Sequence, residues 1–274
     1  MRLAFSTLGL PGLPLHEAAD LATRTGWLGL ELRCAPGETI SPAMTRAERL
    51  AAVHSRAVSG VRALTVATYI GVAAPGPDDA VLARLRQSLQ LAADLHARYV
   101  RVFPHAGSCP GGADPRAARR LSAVAGEAED LGIGVLPETH DSPSRRRRRR
   151  PDSRSGRPAV DRRTVDLMHT WLASESPEAT RDALGARLGY VQVKDIAGQH
   201  DRTPLRLGGG VLPIVECLRL LAAGCRVSWE YEAAWFPRAE PLPPLLTAAA
   251  RYLNDAASAQ DVRGGGFPGG SPDL

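Results

Sequence analysis

A closed barrel of eight parallel strands with helices between them, in one domain, is the fold this sequence predicts. Three observations lead to it. The chain has 274 residues, and a (β/α)8 barrel takes about 250 as a single domain. Short, near-continuous apolar runs alternate with longer amphipathic stretches, as expected of strands covered on both faces by helices. No glycine-rich phosphate loop follows an early strand, which argues against a doubly wound open sheet.

The strand runs, in order, are Arg2–Phe5, Trp27–Leu32, Ala63–Ala67, Tyr99–Phe103, Ile133–Pro137, Thr164–Asp166, Tyr190–Lys194 and Arg226–Glu230. Between them Leu15–Thr23, Thr45–Ala57, Ala80–Leu95 and Pro115–Leu131 carry apolar residues at three- and four-residue spacing, which predicts helices. Ser176-Pro177-Glu178 predicts a helix start, with serine as cap and proline in the first turn. Val211–Leu221 and Leu242–Leu253 complete the series. The barrel is expected over residues 1–256, with a disordered Gly/Pro-rich tail over 257–274.

One segment departs from this pattern. From Ser142 to Pro158 the only apolar side chains are prolines, and Arg145 to Arg150 is a run of six arginines. A barrel helix needs an apolar stripe to bury, and this stretch has none. Residues 143–164 therefore read as an anomalous, insert-like segment with the composition of a shifted reading frame, which the coding DNA would decide. The formal charge of +5 belongs to this run, since removing its six charges leaves −1. The basic balance thus gives no ground for a nucleic-acid-binding surface spread over the fold. No stretch approaches the roughly 18 apolar residues of a membrane span, and no leader pattern opens the chain, so a cytoplasmic protein is expected. Cys34, Cys109, Cys217 and Cys225 are scattered, without the spacing of a zinc cluster or a disulfide framework.

Lys194 is the only lysine among 34 basic residues. A chain that uses arginine everywhere else keeps an ammonium where its compact, rotatable donors are required. It stands in one of four strand ends with clustered polar groups: Glu138-Thr-His140-Asp141, Asp166-Leu-Met-His169, Gln192-Val-Lys194-Asp195 and Glu230-Tyr-Glu232. Positions i and i+2 of a strand share a face, which pairs Glu138 with His140, Gln192 with Lys194, and Glu230 with Glu232. In a parallel barrel these ends meet at one mouth. Acids gathered there repel one another unless a cation joins them, and oxygen donors suit a hard divalent ion such as Mg2+ or Mn2+.

Taken together, Glu-x-His-Asp, Asp-x-x-His, Val-Lys-Asp and Ser-x-Glu-Tyr-Glu on strands five to eight resemble the sugar phosphate isomerase/epimerase superfamily, the xylose isomerase-like TIM barrels. The Gly-Leu-Glu-Leu-Arg33 and Val-Arg101-Val-Phe-Pro strands add to the resemblance, which covers roughly residues 2–255. It implies a divalent metal held by Glu138, Asp166, Gln192 and Glu230. Gln192 stands where the family commonly has histidine, which makes the site harder and weaker for zinc.

The resemblance further implies a sugar or sugar phosphate isomerase or epimerase, with Glu138 and Glu230 moving a proton through a metal-stabilised enediolate. His140, His169 and Lys194 are the expected substrate contacts. Arg33 and Arg101 are mouth residues that serve either as substrate contacts or as ion-pair partners. The expected partner is a small sugar, with no nucleic acid and no membrane, and homo-oligomerisation is left open. Two alternatives stand beside this reading: a keto-inositol dehydratase-type lyase on the same scaffold, and a catalytically impaired barrel.

Overall fold

The structure is a computed structural model, and it describes residues 1–107, 111–140, 160, 162–221 and 224–264, with side chains to residue 258. Eight parallel strands are present: β1 (Arg2–Ser6), β2 (Gly29–Cys34), β3 (Arg62–Gly71), β4 (Tyr99–Phe103), β5 (Gly134–Pro137), β6 (Arg163–Asp166), β7 (Leu188–Val193) and β8 (Arg226–Trp229). The helices are α1 (Leu15–Thr25), α2 (Arg46–Val58), α3 (Asp78–Asp94), α4 (Ala113–Asp130), α5 (Leu167–Leu172), α6 (Pro177–Leu184), α7 (Ile214–Arg219) and α8 (Leu246–Gly264). The strand order β5-β4-β3-β2-β1-β8-β7-β6 places β1 beside β8 and leaves β5 and β6 at the two ends. Those ends meet through one bridge between Glu138 and Thr164, with Thr139 N donating to Thr164 O at 3.1 Å. The barrel is thus nearly closed, with a thin seam at β5/β6.

Local chemistry accounts for the helix ends. Thr45 and Glu48 form a reciprocal capping box at the start of α2. Ser176 accepts from Ala179 N ahead of Pro177, the expected start of α6. Gly26, at φ 84°, ends α1 in the left-handed conformation that glycine adopts without strain. The main core lies between sheet and helices and is mostly aliphatic, with Trp27 and Trp229 buried in it and stacked at 6.2 Å. Trp27 Nε1 donates to Leu246 O at 3.1 Å, fastening α8 to the sheet.

Every expected strand has a counterpart, with most ends shifted by a residue or more and β3 running on to Gly71. α5 follows β6 directly where only a strand end was expected. Its six residues are too few for a helical period to show. α8 continues to Gly264, eight residues into the stretch expected as tail, and residues 265–274 lie outside the described residues. Of the arginine-rich segment, residues 143–159 and 161 also lie outside them, while Arg163 and Thr164 open β6. Among the described residues no helix is long and apolar enough to cross a membrane.

Candidate active site

Strand alternation builds the interior in layers. Ala4, Leu64, Tyr99, Leu136 and Tyr190 form a small buried cluster of their own inside the barrel. The rings of Tyr99 and Tyr190 stack at 5.9 Å, and a Cβ on Gly189 would lie 2.6 Å from Leu136 Cδ1, so only glycine leaves Leu136 its place. Two residues further along the same strands stand Arg101, Glu138 and Gln192, and Lys194 comes two after Gln192. The apolar layer plugs the barrel, and the charged layers open towards the C-terminal ends of the strands, where barrels of this kind carry their chemistry.

Lys194 is the hub of the charged layers. Its Nζ lies 2.8 Å from Asp166 Oδ2, 2.6 Å from Glu230 Oε2 and 2.7 Å from Glu232 Oε1. An ammonium has three donors, and each has a carboxylate. Arg101 plays the same part across the mouth, with Nε 3.0 Å from Glu138 Oε2, a terminal nitrogen 3.5 Å from Glu230 Oε1, and Nη1 donating to Thr68 O at 3.0 Å. Gln192 Nε2 donates to Glu230 Oε1 at 3.0 Å and to Glu31 Oε1 at 3.2 Å. Glu138, Asp166, Gln192, Lys194 and Glu230 are all buried. Glu230 pairs with both Arg101 and Lys194 and so links Glu138 to Asp166 across the mouth.

The burial has electrostatic consequences. Burial, with the neighbouring Glu230 and Asp166, raises Glu138 well above the usual carboxylate range against the pull of Arg101. Burial and Glu230 push Glu31 up to about 7. Burial also works to raise Asp166, but Lys194 and His169 outweigh it and hold that carboxyl below its ordinary value. Lys194 feels burial in the opposite sense, and its three carboxylates overcome it, so the ammonium is firmly protonated.

Whether these residues suit a divalent ion follows from the donor set. Five carboxylates (Glu31, Glu138, Asp166, Glu230 and Glu232) gather around two cationic side chains, a surplus of negative charge and of hard oxygen donors. Glu138, Asp166 and Glu230 are donors of that kind, and here they are bridged by Arg101 and Lys194. Gln192 does not present the carbonyl expected of it: its amide nitrogen faces the acids, and its buried Oε1 has no hydrogen-bond partner. A half-turn of the amide would bring the oxygen to the acid side, which is favourable only with a cation there. Nitrogen donors lie nearby, since ligand atoms of Glu138, His140 and His169 fall within 4.8 Å of one another. His169 Nε2 is also 3.5 Å from Asp166 Oδ2.

Above the carboxylates a belt of flat groups lines part of the mouth. His169 and His140 lie 4.2 Å apart between centroids, His140 meets Phe103 edge-on at 5.0 Å, and Phe103 lies 5.8 Å from Tyr69. The Arg33 guanidinium follows, 5.1 Å from the Tyr69 ring and 4.7 Å from that of Trp235. Sequence reading missed Glu31, Tyr69, Phe103 and Trp235. Glu31 shares a strand face with Arg33 and was within reach of the i/i+2 rule, whereas the aromatics carry no local signal. Asp195, beside Lys194 in the same motif, turns away from the mouth. Its carboxylate accepts from the amides of Gly208 (2.9 Å), Gly210 (3.0 Å) and Leu212 (3.2 Å) and organises the loop after β7. A Cβ on Gly210 would collide with that carboxylate and with Ile196 O.

A cavity of about 620 Å³ also opens between the loop after β2, the end of β3 and helix α3, and none of these acids lines it. Cys34, on its wall, is pushed up to about 12 by burial, so its thiol is not a nucleophile at neutral pH.

Comparison with known proteins agrees with this fold. A family model described as xylose isomerase-like TIM barrel matches residues 19–256. Among solved structures the chain is similar to the IolI protein with a zinc atom bound, at 13% identity and TM-score 0.74, covering 95% of this chain and 99% of that one. It is similar to the probable 3-DHS dehydratase AsbF of Bacillus anthracis, involved in petrobactin synthesis, at 14% identity and TM-score 0.74, covering 93% and 99%. It is similar to D-psicose 3-epimerase in the presence of D-fructose, at 16% identity and TM-score 0.73, covering 94% and 99%. At these identities the likeness is one of fold. No curated protein matches the chain.

Proposed function

This chain belongs to the xylose isomerase-like TIM barrel family, and from that premise we propose that it is a divalent-metal-dependent isomerase or epimerase of a sugar or sugar phosphate. The observation that carries the reading is the gathering of Glu138, Asp166 and Glu230 around two buried cations at the barrel mouth. Moving a proton at the carbon beside a carbonyl needs two carboxylates near the same carbon and fixed positive charge for the oxygen that becomes negative. Glu138 and Glu230 are the two proton carriers: one takes the proton and the other returns it. Lys194 and Arg101 hold the carriers in place and supply the positive field in which an enediolate oxygen is stabilised. His140 and His169, side by side at the mouth, bind substrate hydroxyls.

Glu138, Asp166 and Glu230 would hold the metal, with Gln192 as fourth donor after its amide turns. When bound, the ion supplies a Lewis acid that polarises the substrate carbonyl. The all-oxygen set favours Mn2+ or Mg2+.

The likeness to an epimerase and to a zinc-bearing protein supports this reading, and the likeness to a dehydratase supports a second. A lyase shares the proton abstraction and then expels a β-hydroxyl. Incubating a panel of ketoses and inosols with Mn2+ in deuterated water decides between them. Isomerisation or epimerisation incorporates deuterium at the reacting carbon without loss of water, whereas dehydration lowers the product mass. Exchange with no substrate on the panel would remove both readings. Glu138→Gln should lower turnover by about 10³-fold or more while circular dichroism shows the barrel still folded. Near-normal activity in that variant would take Glu138 out of the mechanism.

A further inference from the structure

Among the described residues three cationic side chains meet in the mouth, and two of them face more than one carboxylate. Lys194 has three carboxylates for its three donors, and Arg101 is divided among Glu138, Glu230 and a backbone carbonyl. Arg33 differs. It is 7% exposed, its Nε lies 3.3 Å from Glu38 Oε1, and among the described residues neither terminal nitrogen has a hydrogen-bond acceptor. Of its nitrogens only Nε is wholly buried without a hydrogen-bond partner, so the forked end keeps contact with solvent at the mouth and has donors to offer an anion. The fork is also held still. The guanidinium lies over the Tyr69 ring at 5.1 Å and over the ring of Trp235, 57% exposed, at 4.7 Å. Cation–π stacking fixes the guanidinium plane without consuming its terminal donors.

We propose that Arg33 is the anchor for an anionic substrate: its terminal nitrogens bind a carboxylate or phosphate at the end of the substrate away from the reacting carbon. The inference rests on the proposed sugar chemistry at Glu138 and Glu230 and narrows its substrate class. Register supplies the spacing. Glu31 shares the Gln192 amide with Glu230 and so lies level with that proton carrier. Arg33 is two residues further towards the mouth on the same face of β2, a rise of about 6.7 Å. A substrate that puts its carbonyl region among the acids and its anion on Arg33 therefore has a backbone of about five carbons, counting the strand rise alone. The guanidinium fork matches either a carboxylate or a phosphate, each through two parallel hydrogen bonds.

The test uses three unreactive five-carbon probes: ribitol, D-ribonate and ribitol 5-phosphate. Calorimetric titration of the full chain should show one or both anionic probes binding on the order of tenfold or more tighter than ribitol, and the stronger of the two identifies the anion. Arg33→Gln should erase that preference and leave ribitol binding unchanged. Arg33→Lys, which keeps the charge but loses the fork, should retain only part of it, and this variant decides the matter if Arg33→Gln does not fold. Equal binding of all three probes to wild type, or an anion preference that survives in both variants, would overturn the assignment. Because no probe can react, the outcome is independent of turnover. Ketose isomerisation without anion preference would sink this inference alone, and anion binding through Arg33 without any isomerisation would sink the catalytic reading alone.

Discussion

Tyr99 and Arg101 stand two residues apart on β4 and face the same way, yet one belongs to an apolar plug and the other to a knot of charges. Leu136 and Glu138 repeat the contrast at β5, and Tyr190 and Gln192 at β7. Each pair shares a strand, a face and nearly complete burial. The plug is stabilised by removing apolar surface from water, at about 25 cal/mol per Å². The knot loses hydration that its ion pairs only partly restore, so it contributes little to holding the fold together. The barrel therefore confines its electrostatic burden to the C-terminal ends of the strands, where function needs it, and anchors it on the apolar layer beneath.

That division can be broken from either side. The largest expected effect on stability comes from Lys194→Met, which leaves Asp166, Glu230 and Glu232 without their shared ammonium. Losing one member of a buried charge cluster costs about 3–5 kcal/mol, to be read from the denaturant midpoint. If Mn2+ restores most of the lost stability, the carboxylates accept a divalent ion in place of the ammonium. On the plug side, Leu136→Ala should cost about 2–4 kcal/mol with kcat in the folded enzyme close to wild type. A kcat loss as large as that of Glu138→Gln would show that plug and mouth are not separable.

Gln192→His sharpens the comparison within the mouth. It restores a nitrogen donor where the amide now turns its N–H to the acids, and it should raise zinc affinity on the order of tenfold in a competition titration. No change would mean that β7 does not contribute a ligand.

The smallest effect lies outside the barrel. Asp78, in the first turn of α3, is paired with Arg119 (2.6 Å) and Arg120 (2.8 Å) of α4, and those partners lower it from 3.8 to about 2. A carboxyl lowered by folding contributes stability that is complete above its ordinary value and is lost as pH falls from 3.8 through about 2. Asp78→Asn should therefore be less stable than wild type at pH 7, and the gap should close between roughly pH 4 and 2 in urea titrations. A gap that persists at the acid end would assign the loss to packing.

Much of this was open to inspection in the linear chain. The eight apolar runs mark all eight strands, because a strand covered on both faces must be apolar along its length. The i/i+2 rule put Gln192 with Lys194 and Glu230 with Glu232 on common faces, and Lys194 does touch both glutamates. Periodicity did not reach α5, since six residues span less than two helical turns. Nor did it reach the Trp235–Arg33–Tyr69 stack, whose members come from three loops and strand ends distant in sequence.

The sequence by itself determined the barrel and most of the acids at its mouth, Glu31 excepted, because those follow from local hydrophobic period and strand alternation. Only the tertiary structure decided how the charges are apportioned: that Lys194 is enclosed by three carboxylates, that Gln192 offers nitrogen and not oxygen, and that Arg33 keeps its fork open. Pairing of charges depends on distances of a few ångströms between strands far apart in the chain, and a rule of local spacing carries no term for that.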